Sequence, residues 1–134
     1  MLLLPHRIAR RGGPVVAVAT EANDPAVRAA AGIAAAIGER LVLVESGQAA
    51  GHQPALRNHG LVDFEVEHLV PKIARVTDAA GICSVLAHCA ERLVVMTRGA
   101  FDDATPAMVA SLRHIPVLVV EPPSARADAD NFLP

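Results

Sequence analysis

The sequence predicts an α/β protein of one domain, and three observations carry that expectation. Strand-like and helix-like stretches alternate along the chain; the strands are unbroken apolar runs; and 134 residues suffice for a single core. A continuous apolar run suits a strand covered on both faces. Regular alternation with helices makes a largely parallel sheet, here of five strands. At this length a domain buries roughly two thirds of its unfolded surface. Hydrophobic residues make up 52% of the chain but aromatic residues only 2%, with no Trp or Tyr, so Val, Leu, Ile and Ala must build the core.

The elements follow in order. "PVVAVAT" (14–20) is the first strand. In the helix that follows, Asp24 can N-cap, Pro25 fits the first helical position and Gly38 is placed to end it. Val27, Ala30, Ala31, Ala34 and Ile37 share one face, and so many alanines let this helix lie close to the sheet. "LVLVE" (41–45) is the second strand. Residues 46–62 are polar and punctuated by Gly and Pro, with at most a short helix near 54–59. "DFEVEHLV" (63–70) alternates, with Asp63, Glu65 and Glu67 on one side and Phe64, Val66 and His68 on the other. One charged face suits an exposed third strand protected against mispairing. Residues 77–90 read as a helix capped by Thr77 or Asp78, 92–97 as the fourth strand, about 103–113 as a helix and 115–120 as the fifth strand. The domain is thus expected over 14–121, with a loosely ordered tail over 122–134.

Residues 1–13 read as an N-terminal arm. "MLLLPHRIARRGG" echoes "VLVVEPPSARADA", an apolar strand tip, a proline and an Arg-containing tail, which also suits the end of a preceding, similar repeat. The charges of the arm follow a very short apolar piece, the reverse of a secretory signal. No apolar run approaches the ~18 residues of a membrane span. Cys83 and Cys89 lie in one apolar stretch and read as reduced thiols of a cytoplasmic protein. A net charge of −2 gives no footprint for nucleic acid, and aromatic platforms for bases are missing. Arginine outnumbers lysine eleven to one (Lys72 is the only lysine), a bias that suits a GC-rich bacterial genome.

With these strands placed, the chain resembles the universal stress protein family. "VVAVATEANDPAVRAAAGIAAAIGERLVLV" looks like the family's opening strand, helix and second strand, "AERLVVMTRGA" like its fourth strand and following turn, and "LRHIPVLVVEP" like its closing strand. The resemblance covers most of 14–122 and is weak over 46–76. It implies a doubly wound, Rossmann-like sheet of order 3-2-1-4-5 with helices on both faces, of the adenine nucleotide alpha hydrolase-like kind. It also implies a nucleotide crevice at the carboxyl ends of the first and fourth strands, where open α/β sheets bind ligands.

The family's nucleotide-binding members carry three signals there. An acidic residue closes their first strand; here Ala19 stands at that position, so the acid is absent or has moved to Glu21 or Asp24. A pair of glycines follows their fourth strand, because a Cβ obstructs the approach of backbone N–H groups to phosphate. Thr97 and Ala100 occupy those places, with Gly99 out of register. The third signal, Gly then Ser or Thr at a helix start, is met only by Ala110 and Ser111, which the closing strand's alignment puts near a helix end. The expectation is therefore a divergent member without the glycine-rich ATP-binding motif and with no cofactor. The candidate ligand-binding residues are Thr20, Asn23, Asp24, Thr97, Arg98 and Gly99. Arg98 stands where an anion would arrive; pairing with Asp102, Asp103 or Glu21 is its alternative employment.

Other chemistries fit less well. No Walker A loop or dinucleotide fingerprint occurs, and a receiver domain would need an Asp after the third strand, which "HLVPKIARV" lacks. Cys83 and His88 would point about 140° apart on one helix, so no metal site is expected from them; His52, His59 and His68 read as ordinary imidazoles. Ser84 and His88 lie one turn apart without an acid to orient the imidazole, so no catalytic residue and no enzymatic activity are expected. The fifth strand carries no charge yet would lie at an edge, and such an edge demands cover. Val117, Leu118, Val119 and Val120 are the candidate dimer edge, covered by a second copy, by a tandem sister domain or by the chain's own tail. The function expected is that of a non-catalytic regulatory or interaction domain in stress response, with a nucleotide- or anion-binding sensor as the alternative.

Overall fold

The structure, a computed structural model, describes residues 1–8, 12–20, 24–45 and 78–122. Its elements are β1 (Leu2–Leu3), β2 (Val15–Ala19), α1 (Pro25–Ile37), β3 (Leu41–Glu45), α2 (Ala79–Val85), β4 (Leu93–Thr97), α3 (Thr105–Arg113) and β5 (Val117–Val120). The class is α/β, as expected. The sheet, however, is mixed, and its order is β1-β5-β4-β2-β3. The four expected strands that are described run 2-1-4-5 in the numbering used for the sequence, as expected. The departure from a mostly parallel sheet of order 3-2-1-4-5 is β1, a strand within the expected N-terminal arm that adds an antiparallel pairing and makes the sheet mixed. β2 pairs in parallel with β3 and β4, and β4 with β5, but β1 runs antiparallel along β5. The strand expected at 63–70, the loop of 46–62 and the tail beyond residue 122 lie outside the described residues.

Helices cover both faces. Val15, Ala17, Ala19, Leu41, Leu43 and Val95 face α1, which buries Ala26, Val27, Ala30, Ala31 and Ala34 against them. On the other face Val16, Val18, Val42, Val44, Val94, Met96, Val117 and Val119 meet Ile82 and Leu86 of the α2 region and Val109 and Ala110 of α3. β2, β3 and β4 are thus buried on both faces, which is why they read as continuous apolar runs and not as alternations.

α1 begins and ends where its residues dictate. The Asp24 side chain accepts from the Ala26 N–H, Pro25 opens the helix and Gly38 closes it at φ 69°, returning its N–H to Ala34 and Ala35. Ile37 shares the buried azimuth, but it stands in the last turn, where Gly38 turns the chain away, and it is 46% exposed. α2 is shorter than the helix expected over 77–90. Asp78 caps it through Gly81 N–H at 2.8 Å, and after Val85 bonds of the i→i−3 kind tighten the chain into turns, closing at Ala90 with φ 53°. Thr77 lies outside the described residues.

Two polar fixings hold these layers. The guanidinium of Arg113 on α3 donates to both carboxylate oxygens of the fully buried Glu91, at 2.6 and 3.1 Å, and to the Leu86 carbonyl at 2.9 Å. At the amino end of the sheet Arg92 donates to the Gly13 carbonyl at 2.9 Å and to Glu39 at 2.7 Å. There Gly13 passes so close to Ala90 that a Cβ on it would stand 1.8 Å from the Ala90 carbonyl oxygen.

Candidate functional site

The carboxyl ends of β2 and β4 lie side by side, because β2 is the strand on which β4 and β3 both pair. A cleft of about 280 Å³ opens there, lined by Thr20, Asp24, Thr97, Arg98, Gly99, Ala100 and Pro122. Five of the six candidate ligand residues are thus brought together; Asn23 and Glu21 lie outside the described residues.

Asp24 dominates the floor. It is 1% exposed, and its carboxylate is fully employed by the chain itself. Oδ1 accepts from the Ala26 N–H at 3.0 Å and from the Thr97 hydroxyl, while Oδ2 accepts from the Thr20 N–H at 3.1 Å. The Thr97 oxygen in turn accepts from the Ala26 N–H at 3.2 Å. A carboxylate at this place also complements the partial positive charge of the α1 N-terminus. Of the two places the sequence offered for an acid at this end of the first strand, Asp24 lines the crevice and Glu21 lies outside the described residues. Glu45 is a second buried carboxylate at this end of the sheet, level with Ala19 and engaged in interactions of its own. Its only signal in the sequence was an acid closing an otherwise apolar strand.

The turn after β4 is closed on itself. Arg98 N–H donates to the Val120 carbonyl at 2.8 Å and Ala100 N–H to the Thr97 carbonyl at 3.2 Å. Gly99 has φ 84°, and a Cβ added to it would meet nothing within 4 Å. Glycine is suited to that backbone angle, which a residue with a Cβ rarely adopts. The Arg98 side chain pairs with Glu121, Nε to Oε1 at 2.9 Å, on an exposed surface. This differs from the expected pairing with Asp102 or Asp103, while Glu21, the third expected partner, lies outside the described residues: β5 ends beside the turn and delivers Glu121 to it, a placement that adjacency in sequence could not reveal. Ser111 lies in the last turn of α3, away from the helix start.

β5 is not an open edge. Leu2 and Leu3 pair with Leu118 and Val117, and Met1 and Val119 exchange both N–H···O bonds at 2.7 Å. Of the residues proposed from sequence as an edge, Val117, Leu118 and Val119 are thus covered by the chain's own first residues, and Val120 lies beyond that pairing. On the other side of the Thr97–Gly99 turn, Met1, Leu3, Phe101 and Val119 line a second cleft of about 220 Å³ whose rim carries Asp102 and Asp103.

The remaining chemistry-bearing residues do not converge. Ser84 and His88 are exposed, and Cys83 and Cys89 are half-buried free thiols. Burial pushes both thiols up from their ordinary value, and the Glu91 carboxylate adds to the rise. Among the described residues no three His, Cys, Asp or Glu side chains gather as metal ligands, and no helix is long and apolar enough to cross a membrane. In comparison with known proteins, no family model and no curated protein matches the chain.

Proposed function

We propose that this chain is a non-catalytic regulatory or interaction domain of the universal stress protein kind, cytoplasmic, and unable to bind ATP in that family's usual way. On this reading the domain works by what it docks against. One observation supports the reading most directly. The donors that a phosphate would use at the crevice, Thr20 N–H, Ala26 N–H and the Thr97 hydroxyl, are already spent on the Asp24 carboxylate. A phosphate arriving there would meet that negative charge, which disfavours it by about 4 kcal/mol for unit charges roughly 4 Å apart at an effective dielectric near 20. The free thiols, half-buried and raised by burial, fit a reducing compartment.

A second reading, a sensor for a nucleotide or small anion, is favoured by the open cleft that gathers Thr20, Thr97, Arg98 and Gly99. Calorimetric titration with ATP, AMP and cyclic AMP separates the two. No heat of binding is expected. Micromolar affinity for any of them, abolished by Arg98→Ala, would replace the first reading with the second. The substitution itself is benign, because an exposed ion pair such as Arg98–Glu121 contributes about 0–1 kcal/mol.

A further inference from the structure

β1 is the open edge of the described sheet on its side; it is only two residues long and Pro5 follows it, but the charged side chains that commonly guard an edge are missing from it. Leu2, Leu3 and Leu4 carry no charge, and no bulge twists the strand away before Pro5. Because Met1 and Val119 form a hydrogen-bonded pair, the alternation of an antiparallel ladder makes Leu2 and Leu118 a non-bonded pair. The N–H and C=O of Leu2 therefore face away from β5, as do those of Leu4 two residues on. Seven large apolar side chains are conspicuously exposed among the described residues. Six of them, Met1, Leu2, Leu4, Ile8, Met108 and Leu112, lie on this arm or on α3, which packs beside β1; they are 49–62% exposed.

Charge is arranged along the same edge with opposite signs at its two ends. Asp102 and Asp103 share a cleft with Met1, where β1 starts, whereas the exposed Arg7, next to the exposed His6, follows its end. Such a strip is complementary to itself when turned end for end, which is the requirement for a two-fold interface.

We propose that a second copy of this chain docks on β1, the two strands pairing antiparallel about a two-fold axis near Leu3. Leu2 of each copy then bonds Leu4 of the other, the apolar side chains of the two arms cover one another, and His6 and Arg7 of each copy face Asp102 and Asp103 of its mate. β-Strand addition at an exposed edge supplies the main-chain bonds. This names the partner of the interaction domain proposed above and rests on that reading, yet the two fail separately: nucleotide binding tests the crevice, self-association tests the edge.

The test is sedimentation equilibrium of the full chain over a wide concentration range. A reversible dimer is expected. Leu2→Lys and Leu4→Lys should each raise its dissociation constant about tenfold or more, since a two-fold interface takes every substitution twice. Circular dichroism should be unchanged, because both side chains are exposed. Arg7→Glu should weaken the dimer, and adding Asp102→Arg with Asp103→Arg should restore it. A chain monomeric at every concentration overturns the proposal. So does a dimer indifferent to both lysines, which would put the contact elsewhere, and so does failure of the charge reversal, which would break the antiparallel arrangement.

Discussion

The hydroxyl of Thr97, at the end of β4, donates to the carboxylate of Asp24, which caps α1, and both side chains are buried. One hydrogen bond thus ties the end of the central sheet to the start of the helix that covers it. Thr97→Val keeps the shape and removes the donor, and should destabilise the fold by about 1–2 kcal/mol. Asp24→Ala removes the cap as well and should cost about 2 kcal/mol or more. Urea denaturation measures both, and a neutral Thr97→Val would show that the bond contributes nothing.

Gly13 and Ala90 give a paired expectation of opposite sign. Gly13→Ala would drive a methyl group into the Ala90 carbonyl, at 1.8 Å before relaxation, and should destabilise by about 3 kcal/mol or more. Ala90 itself holds φ 53°, an angle that disfavours any residue with a Cβ. Ala90→Gly should therefore stabilise, by about 0.5–1 kcal/mol after allowing for glycine's freedom in the unfolded chain. Thermal melts of the two variants should move in opposite directions.

The buried pair of Glu91 and Arg113 predicts non-additivity. Glu91→Leu leaves a largely buried guanidinium without its carboxylate, and Arg113→Met leaves a buried carboxylate without its cation, each at about 3–5 kcal/mol. Both substitutions together should recover part of that loss, because no charge is then stranded. A double mutant as unstable as the sum of the singles would argue against direct coupling.

Cys83 and Cys89 set a limit on the alkaline side. Their folded values lie above the ordinary 9.0, with burial the first cause, so the folded state holds its thiol protons longer than the unfolded chain does. The stability this represents is complete below about pH 9 and is lost as pH rises past that point through the folded values. Denaturation midpoints should fall above pH 9 more steeply in the parent than in a Cys83→Ala, Cys89→Ala variant. Alkylation at neutral pH should be slow in the folded protein, since protonated thiols are poor nucleophiles.

How much of this was legible in advance depended on whether the signal was local. Asp24, Pro25 and Gly38 announce the limits of α1 because capping is decided within a turn of the residue. The runs at 15–19, 41–45 and 93–97 announce strands because burial on both faces removes polar residues from them. β1 was visible only as an echo of the closing strand; two paired residues have no periodicity, and their partner lies more than a hundred positions away. The end of α2 at Val85 was missed because the chain turns to place Leu86 and Glu91 against Arg113, a demand made by another helix. At the crevice, the residue types and their places could be read. Their mutual hydrogen bonds could not, because Thr20, Asp24, Ala26 and Thr97 meet only once α1 is packed on the sheet.

The contact between α1 and the sheet has a consequence for descent. Ala26, Ala30, Ala31 and Ala34 lie against Ala17 and Ala19, so that layer has almost no volume to trade. The opposite face, with Ile82, Leu86, Met96 and Ile115, can exchange one bulky aliphatic for another and repack. Sister sequences should hence drift unevenly, nearly frozen at small residues beneath α1 and freely varied beneath α2 and α3.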